Sequence, residues 1–291
     1  MAVYGKTYRP YSGSLTPERR RPLVLTRYGL ADLFQSRLFL ALFVLCFVPP
    51  FLALLRIYLG HNTEAINILQ FPQTLIDQLL GVDGLVFYRW LVIPQTVLSF
   101  ILTAVAAPSL VSPDLRNNAM PLYLGRPLTR LDYMAGKGLA LMLLLSAVTW
   151  APGLILVFVQ GALGGFGWIG DHASLAPALA AGFLVWSLAL TAFGLALSAV
   201  VKWRPVARIL FVAMPLVASG FATVFNETLG TSLLDVLQFW EVISGLWTGP
   251  LGLPVDEEGL STVGALMTLA ALVALSFVVL KRRIRAYEVE R

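Results

Sequence analysis

In a chain of 291 residues that is 58% apolar and only 13% charged, with a mean hydropathy of +0.78, charge is scarcer than the ~25% usual in soluble domains, which excludes an ordinary soluble fold. The net charge of +5 and isoelectric point near 9.5 would suit a nucleic-acid binder, but the basic residues stand in short clusters between apolar runs, so nucleic acid is excluded as a partner. One cysteine, Cys46, and two histidines, His61 and His172, allow no intrachain disulfide and are too few for a Cys/His metal site.

Residues 1–21 read as a basic tail with no apolar signal-peptide core, so the first membrane span must serve as its own insertion signal. Over 22–37, Leu30, Leu33 and Phe34 fall on one helical face, with Asp32, Gln35 and Ser36 opposite. This pattern predicts an amphipathic helix lying in the membrane interface, with Arg19, Arg20, Arg21 and Arg27 near anionic headgroups. Residues 38–281 then read as an all-α transmembrane domain. Six stretches have the length that crosses hydrocarbon: Leu38–Tyr58, Trp90–Val111, Leu139–Gly161, Leu175–Val201, Ile209–Phe225 and Leu260–Leu280. Pro49, Pro50, Pro94, Pro152 and Pro215 punctuate them. Ala178/Gly182 and Gly194/Ser198 have the small-residue spacing that lets helices approach closely.

The segments 61–89 and 226–259 are long for simple turns. In the second, Leu233, Leu234, Leu237, Trp240 and Ile243 are spaced as on a helix lying on or dipping into the membrane, with Trp240 and Trp247 as interface anchors. Residues 282–291 form a basic C-terminal tail. Of the 21 basic residues, only Arg56 and Arg89 fall outside the N-terminal part, the second–third connection, the fourth–fifth connection and the C-terminus. Most acidic residues lie on the other side. The positive-inside rule then places both ends in the cytoplasm, as in a multi-pass inner-membrane protein.

No ionisable residue lies well inside a predicted span. That argues against a proton-coupled carrier, a voltage sensor or a membrane-embedded hydrolase. The sequence has no G-x-x-x-x-G-K-[ST], H-E-x-x-H or G-x-S-x-G pattern, and Gly136-Lys137 lacks both the upstream glycine and the following hydroxyl of a phosphate loop. The chain therefore reads as a non-enzyme with no cofactor, and any energy from ATP must enter through another protein.

The most informative stretch is Ser112–Gly138. Ser112-Pro113-Asp114 reads as a helix start, with a capping hydroxyl, a proline at the first helical position and an acid at the positive end of the dipole. Pro121 and Gly125 limit that helix to two or three turns. Thr129 and Asp132 have capping-box spacing and begin the next helix, which carries Tyr133, Gly136 and Lys137 into the third span. A short helix at the mouth of the bundle is a natural docking element for a soluble partner. A loop that merely reverses the chain accounts for the same residues.

Asp114 and Arg116, then Leu122-Tyr123-Leu124, Arg126-Pro127-Leu128-Thr129-Arg130, Tyr133 and Gly136-Lys137 resemble the corresponding segment in permease subunits of ABC type 2 exporters. Asn117-Asn118-Ala119 stands where many members carry Gly-Thr-Leu. The resemblance implies two permease subunits forming the pathway and two ATP-binding cassette ATPase subunits below them. It implies that the coupling segment 112–130 docks on the ATPase through Asp114, Leu115, Arg116, Met120, Leu122 and Tyr123. Arg126 and Arg130 would hold the turn or meet lipid phosphates. A non-transporting scaffold that uses the same ATPase docking, and a passive channel, are the alternative readings.

Overall fold

The computed structural model describes residues 17, 20–62, 84–119, 121, 123, 128–253 and 259–283, and among them every regular element is helical. In chain order these are α1 (Arg21–Phe34), α2 (Arg37–Leu45), α3 (Val48–His61), α4 (Gly84–Phe87) and a π-helical turn (Tyr88–Val92). Then come α5 (Ile93–Arg116), α6 (Arg130–Val148), α7 (Trp150–Asp171), α8 (Leu175–Val200), α9 (Arg204–Leu229), a 3-10 turn (Asp235–Leu237), α10 (Phe239–Thr248) and α11 (Thr262–Arg283). Among the described residues six helical runs are long and apolar enough to cross a membrane: Arg37–His61, Tyr88–Arg116, Arg130–Asp171, Leu175–Val200, Arg204–Leu229 and Thr262–Arg283. Each contains most or all of one span predicted above. The chain is a multi-pass helical membrane protein.

The helix boundaries follow local chemistry. Pro49 and Pro50 stand in the first turn of α3, where a missing N–H costs no intrahelical bond. They bend the first span after Cys46 without ending it. α9 runs to Leu229 because Gly230, at φ 61°, supplies the left-handed residue that closes a helix. The outer segment therefore starts a few residues later than 226.

The third span departs most from expectation. The helical run covers 42 residues from Arg130 to Asp171, about 63 Å at 1.5 Å per residue and too long for one straight crossing. It is broken at Thr149, whose backbone is non-helical, and again at Gly165, at φ 80°. The first break has an identifiable cause. Pro152 cannot donate to the carbonyl of Val148, four residues back, and the side-chain amide of Gln95 on α5 donates to that carbonyl instead. A neighbouring helix thus satisfies the group that the proline leaves open, as hydrocarbon requires.

Two apolar clusters stack along the bundle. One joins Ala53 and Ile57 of α3 to Leu91, Phe100, Leu179, Phe183, Phe211, Ile243, Trp247 and Leu269. The other joins Leu25 and Leu33 of α1 to Phe39, Leu110, Tyr133, Leu141, Leu195, Ala199 and Leu280. The second cluster brings α1, the end of α5, the start of α6, the end of α8 and the end of α11 to one end of the molecule. The basic residues Arg27, Arg116, Arg130, Lys137, Lys202, Arg204 and Lys281–Arg283 gather there.

α8 is the central helix, lying against α5 and α11 and also meeting α6, α7, α9 and α10. Small residues make this possible. A Cβ on Gly194 would sit 2.7 Å from that of Ala107 on α5, and one on Gly182 would sit 2.5 Å from the Trp247 ring. Both small-residue pairs picked out in the sequence therefore serve contacts within the chain.

Candidate functional site

The predicted docking segment sits where α5 ends and α6 begins. Its start differs from expectation. Ser112-Pro113-Asp114 does not open a helix: α5 continues through these residues to Arg116. Ser112 is fully buried, and its hydroxyl lies 2.9 Å from the carbonyl of Val201 and 3.3 Å from that of Ser198. It ties the end of α5 to the end of α8. Sequence patterning could not separate a capping serine from one that serves another helix's carbonyls, because both precede an exposed turn.

The stop signal is instead Asn117-Asn118-Ala119. Asn118 takes the left-handed conformation at φ 49°. The amide of Ala119 donates to the Asp114 carbonyl at 2.8 Å, and that of Asn118 to the Leu115 carbonyl at 3.4 Å. This is a Schellman closure, with asparagine in the place more often held by glycine. The chain then regains helical structure at Pro121 and Tyr123, where the Tyr123 amide donates to the Ala119 carbonyl at 3.1 Å. The expected single helix over Pro113–Leu124 is thus two pieces, the last turn of α5 and a separate turn through 121 and 123.

The start of α6 matches its sequence signature. The Thr129 hydroxyl accepts from the Asp132 amide at 3.1 Å, and the Asp132 carboxylate accepts from the Thr129 amide at 2.9 Å. One turn later, Tyr133 and Lys137 both reach back to α5. The Lys137 ammonium lies 2.9 Å from Asp114 Oδ2, and the Tyr133 hydroxyl donates to the same oxygen at 2.8 Å. Tyr133 is fully buried, with the Tyr123 ring centred 5.5 Å away and the Lys137 ammonium 5.7 Å from its own ring. One carboxylate oxygen thus takes a charge-assisted and a neutral hydrogen bond from two successive turns of α6.

α1 is fastened to the same place. A Cβ on Gly136 would come within 2.7 Å of Leu25 Cβ and 2.8 Å of the Pro22 carbonyl, so only glycine admits α1 at this distance. The Thr26 hydroxyl lies 2.9 Å from the Gly136 carbonyl and 3.0 Å from that of Pro22. The buried side of α1 consists of Leu25, Thr26, Gly29 and Leu33. Of the residues predicted for its apolar face, Leu33 is buried and Leu30 is half-buried. Phe34 is exposed and meets the rings of Phe39 and Phe43. The face is turned partly into the protein, because Gly29 and Gly136 offer a closer neighbour than lipid does.

The sequence-predicted contact residues therefore separate. Asp114 is committed to Lys137 and Tyr133. Leu115 and Tyr123 are half-buried and pack against the apolar cluster at this end. Arg116 and Arg130 are exposed. Met120, Leu122 and Arg126 lie outside the described residues. Ser112, read in the sequence as a helix cap, and Lys137, read as part of the Gly136-Lys137 pair, were not among the expected contact residues, yet both fasten this segment. The signal for Lys137 is its charge, opposite to Asp114 across a reversing connection. Among the described residues no three His, Cys, Asp or Glu side chains gather as metal ligands. No protein-family model and no curated protein matches this sequence.

Proposed function

We propose that this chain is the membrane permease subunit of an ABC exporter of the type 2 class. Both of its ends lie in the cytoplasm of a bacterial-type inner membrane. A second permease subunit completes the pathway, and a separate ATPase docks beneath 112–130 and supplies the energy. The observation that carries the reading is the triple attachment of this segment: Asp114 to Lys137 and Tyr133, Ser112 to the end of α8, and α1 to Gly136. A coupling device needs a rigid element whose displacement moves more than one span. Here a push on the exposed turn reaches α5, α6 and α8 together. The gathering of basic residues at this end supports the cytoplasmic assignment.

The same geometry divides the expected roles. Asp114 keeps the segment attached, whereas exposed Arg116 is free to offer its charge to a partner. Arg116→Ala should leave the purified protein as thermostable as wild type while reducing copurified ATPase or uncoupling hydrolysis from transport. A charge contact desolvated at such an interface is worth roughly a few kcal/mol. Asp114→Ala should lower stability first. The measurement is ATP hydrolysis and solute movement in proteoliposomes with the ATPase at fixed stoichiometry. If replacing the whole of Leu115–Leu122 leaves both activities unchanged, the coupling role is lost. Docking without solute movement would instead identify a scaffold, and conduction without nucleotide a channel.

A further inference from the structure

Beside the coupling segment, the ends of α5 and α9 enclose a cleft of about 490 Å³ lined by Pro113, Arg116, Asn117, Lys202, Trp203, Arg204, Pro205 and Arg208. Four of these side chains are cations. Among the described residues none of the four makes an ion pair, since the nearby Asp114 is already held by Lys137. Arg208 donates one hydrogen bond, from Nη2 to Ser109 Oγ at 3.3 Å, and its Nε is buried with no partner. The charges also oppose the helix beneath them. α9 begins at Arg204 with no side-chain cap and no acid in its first turn, so Arg204 lies at the positive end of its dipole, where an anion is favoured and a cation is not, and Arg208 follows one turn further in. Four cations without an ion pair, an uncapped helix start and a buried guanidinium nitrogen without a partner together favour an anion among them.

We propose that this cleft binds the phosphate of an anionic phospholipid headgroup. A lipid fits better than a soluble anion because the cleft lies at the ends of two spans, level with the exposed Trp203 ring, the residue type that marks the headgroup layer. Basic pockets between spans hold lipid headgroups by the same electrostatics. Pro113, Arg116 and Asn117 of the lining belong to the segment proposed to dock an ATPase, whereas Lys202, Arg204 and Arg208 do not; the test therefore replaces only the latter three, and the proposal holds whether or not the chain is a permease.

The test is native mass spectrometry of the full-length, detergent-purified protein titrated with phosphatidylglycerol and, separately, with phosphatidylcholine. Wild type should retain phosphatidylglycerol in preference to phosphatidylcholine. The Lys202→Gln, Arg204→Gln, Arg208→Gln variant should bind it more weakly by about fivefold per cation removed. The Lys281→Gln, Arg282→Gln, Arg283→Gln variant loses equal charge from the same end and should bind as wild type does. Should the first triple variant fail to fold, Arg204→Gln alone, at an exposed position, should still show the fivefold loss. Equal loss in the two triple variants would reduce the effect to bulk charge and overturn the site. So would equal binding of the two lipids, the outcome expected if the cleft serves an acidic protein segment. Displacement of the lipid by inorganic phosphate at matched concentration would identify a free-anion site and overturn the lipid assignment.

Discussion

α8 and α9 are each 26 residues long and their most apolar windows have nearly equal mean hydropathy, 2.0 and 1.9, yet 61% of that window of α8 is buried in the bundle and only 17% of that of α9. Hydropathy therefore cannot say which helix is central. Composition within the helix can. α8 carries Gly182, Ser187, Thr191, Gly194 and Ser198 on its packed sides, and all are buried. α9 presents Ile209, Leu216, Val217, Phe221 and Val224 outward. In lipid there is no hydrophobic gain from moving leucine against leucine, so helices associate where small residues let backbones approach and polar groups find partners. Between the two helices, Trp186 and Phe193 on one side and Met214 and Pro215 on the other border an apolar cavity of about 310 Å³, where bulky side chains keep α9 from closing on α8.

The largest way to break this contrast is to remove what α8 receives. Trp247 of α10 is fully buried against Gly182 and the Phe183 ring, 4.6 Å between centroids. Trp247→Ala should cost about 3–5 kcal/mol in detergent unfolding experiments, whereas the exposed Trp240 changed to Ala should cost far less. Next in size, Gly182→Ala forces a Cβ into the Trp247 ring and should cost about 1–3 kcal/mol by the same measurement. Gly220→Ala on α9 meets nothing within 4 Å and should stabilise by about 0.5–1 kcal/mol. A Gly220 cost equal to that of Gly182 would mean that α9 has a neighbour as close as those of α8. The smallest effect is expected at Gln95. Gln95→Leu removes the donor to the Val148 carbonyl and should cost about 0.6 kcal/mol, the average for side-chain hydrogen bonds between membrane helices. A much larger loss would show that the Pro152 break depends on that donor.

The seam between α5 and α8 explains why an apparently uncharged interior is not uniformly greasy. Gln95, Thr96, Ser99 and Thr103 of α5 are all fully buried, as is Ser187 of α8. Ser99 Oγ donates to the Thr96 carbonyl at 2.9 Å and accepts the Trp186 indole N–H at 3.1 Å. A span-by-span reading passes over these residues, because a few small polar side chains scarcely lower the mean hydropathy of a whole span. Their placement on one stripe becomes meaningful only when the facing helix is known.

The same limit appears at the candidate site. Thr129 and Asp132 were legible as a capping box because both partners lie within one turn. Asn118 could have been read as a helix stop by the same local logic, and Pro113 misled because proline is also tolerated inside membrane helices, as in the last turns of α5. Trp247 reads as an interface anchor in sequence, yet it is fully buried, because Gly182 opens a space for it some 65 positions away in the chain. The joint capture of Asp114 by Lys137 and Tyr133 belongs to the same class, since nothing local tells a committed carboxylate from an exposed one.

By itself, then, the sequence determined the helical class, six apolar runs, the ends of several helices and the clustering of positive charge, all of which follow from properties of neighbouring residues: length against hydrocarbon thickness, missing N–H groups at proline, and local caps. Only the tertiary structure decided that α8 is central and α9 peripheral, that α1 turns part of its apolar face onto Gly136, and that Asp114 is held while Arg116 is exposed. Those outcomes depend on close approach and on hydrogen-bond partners between residues far apart in the chain, which no periodicity within one segment encodes.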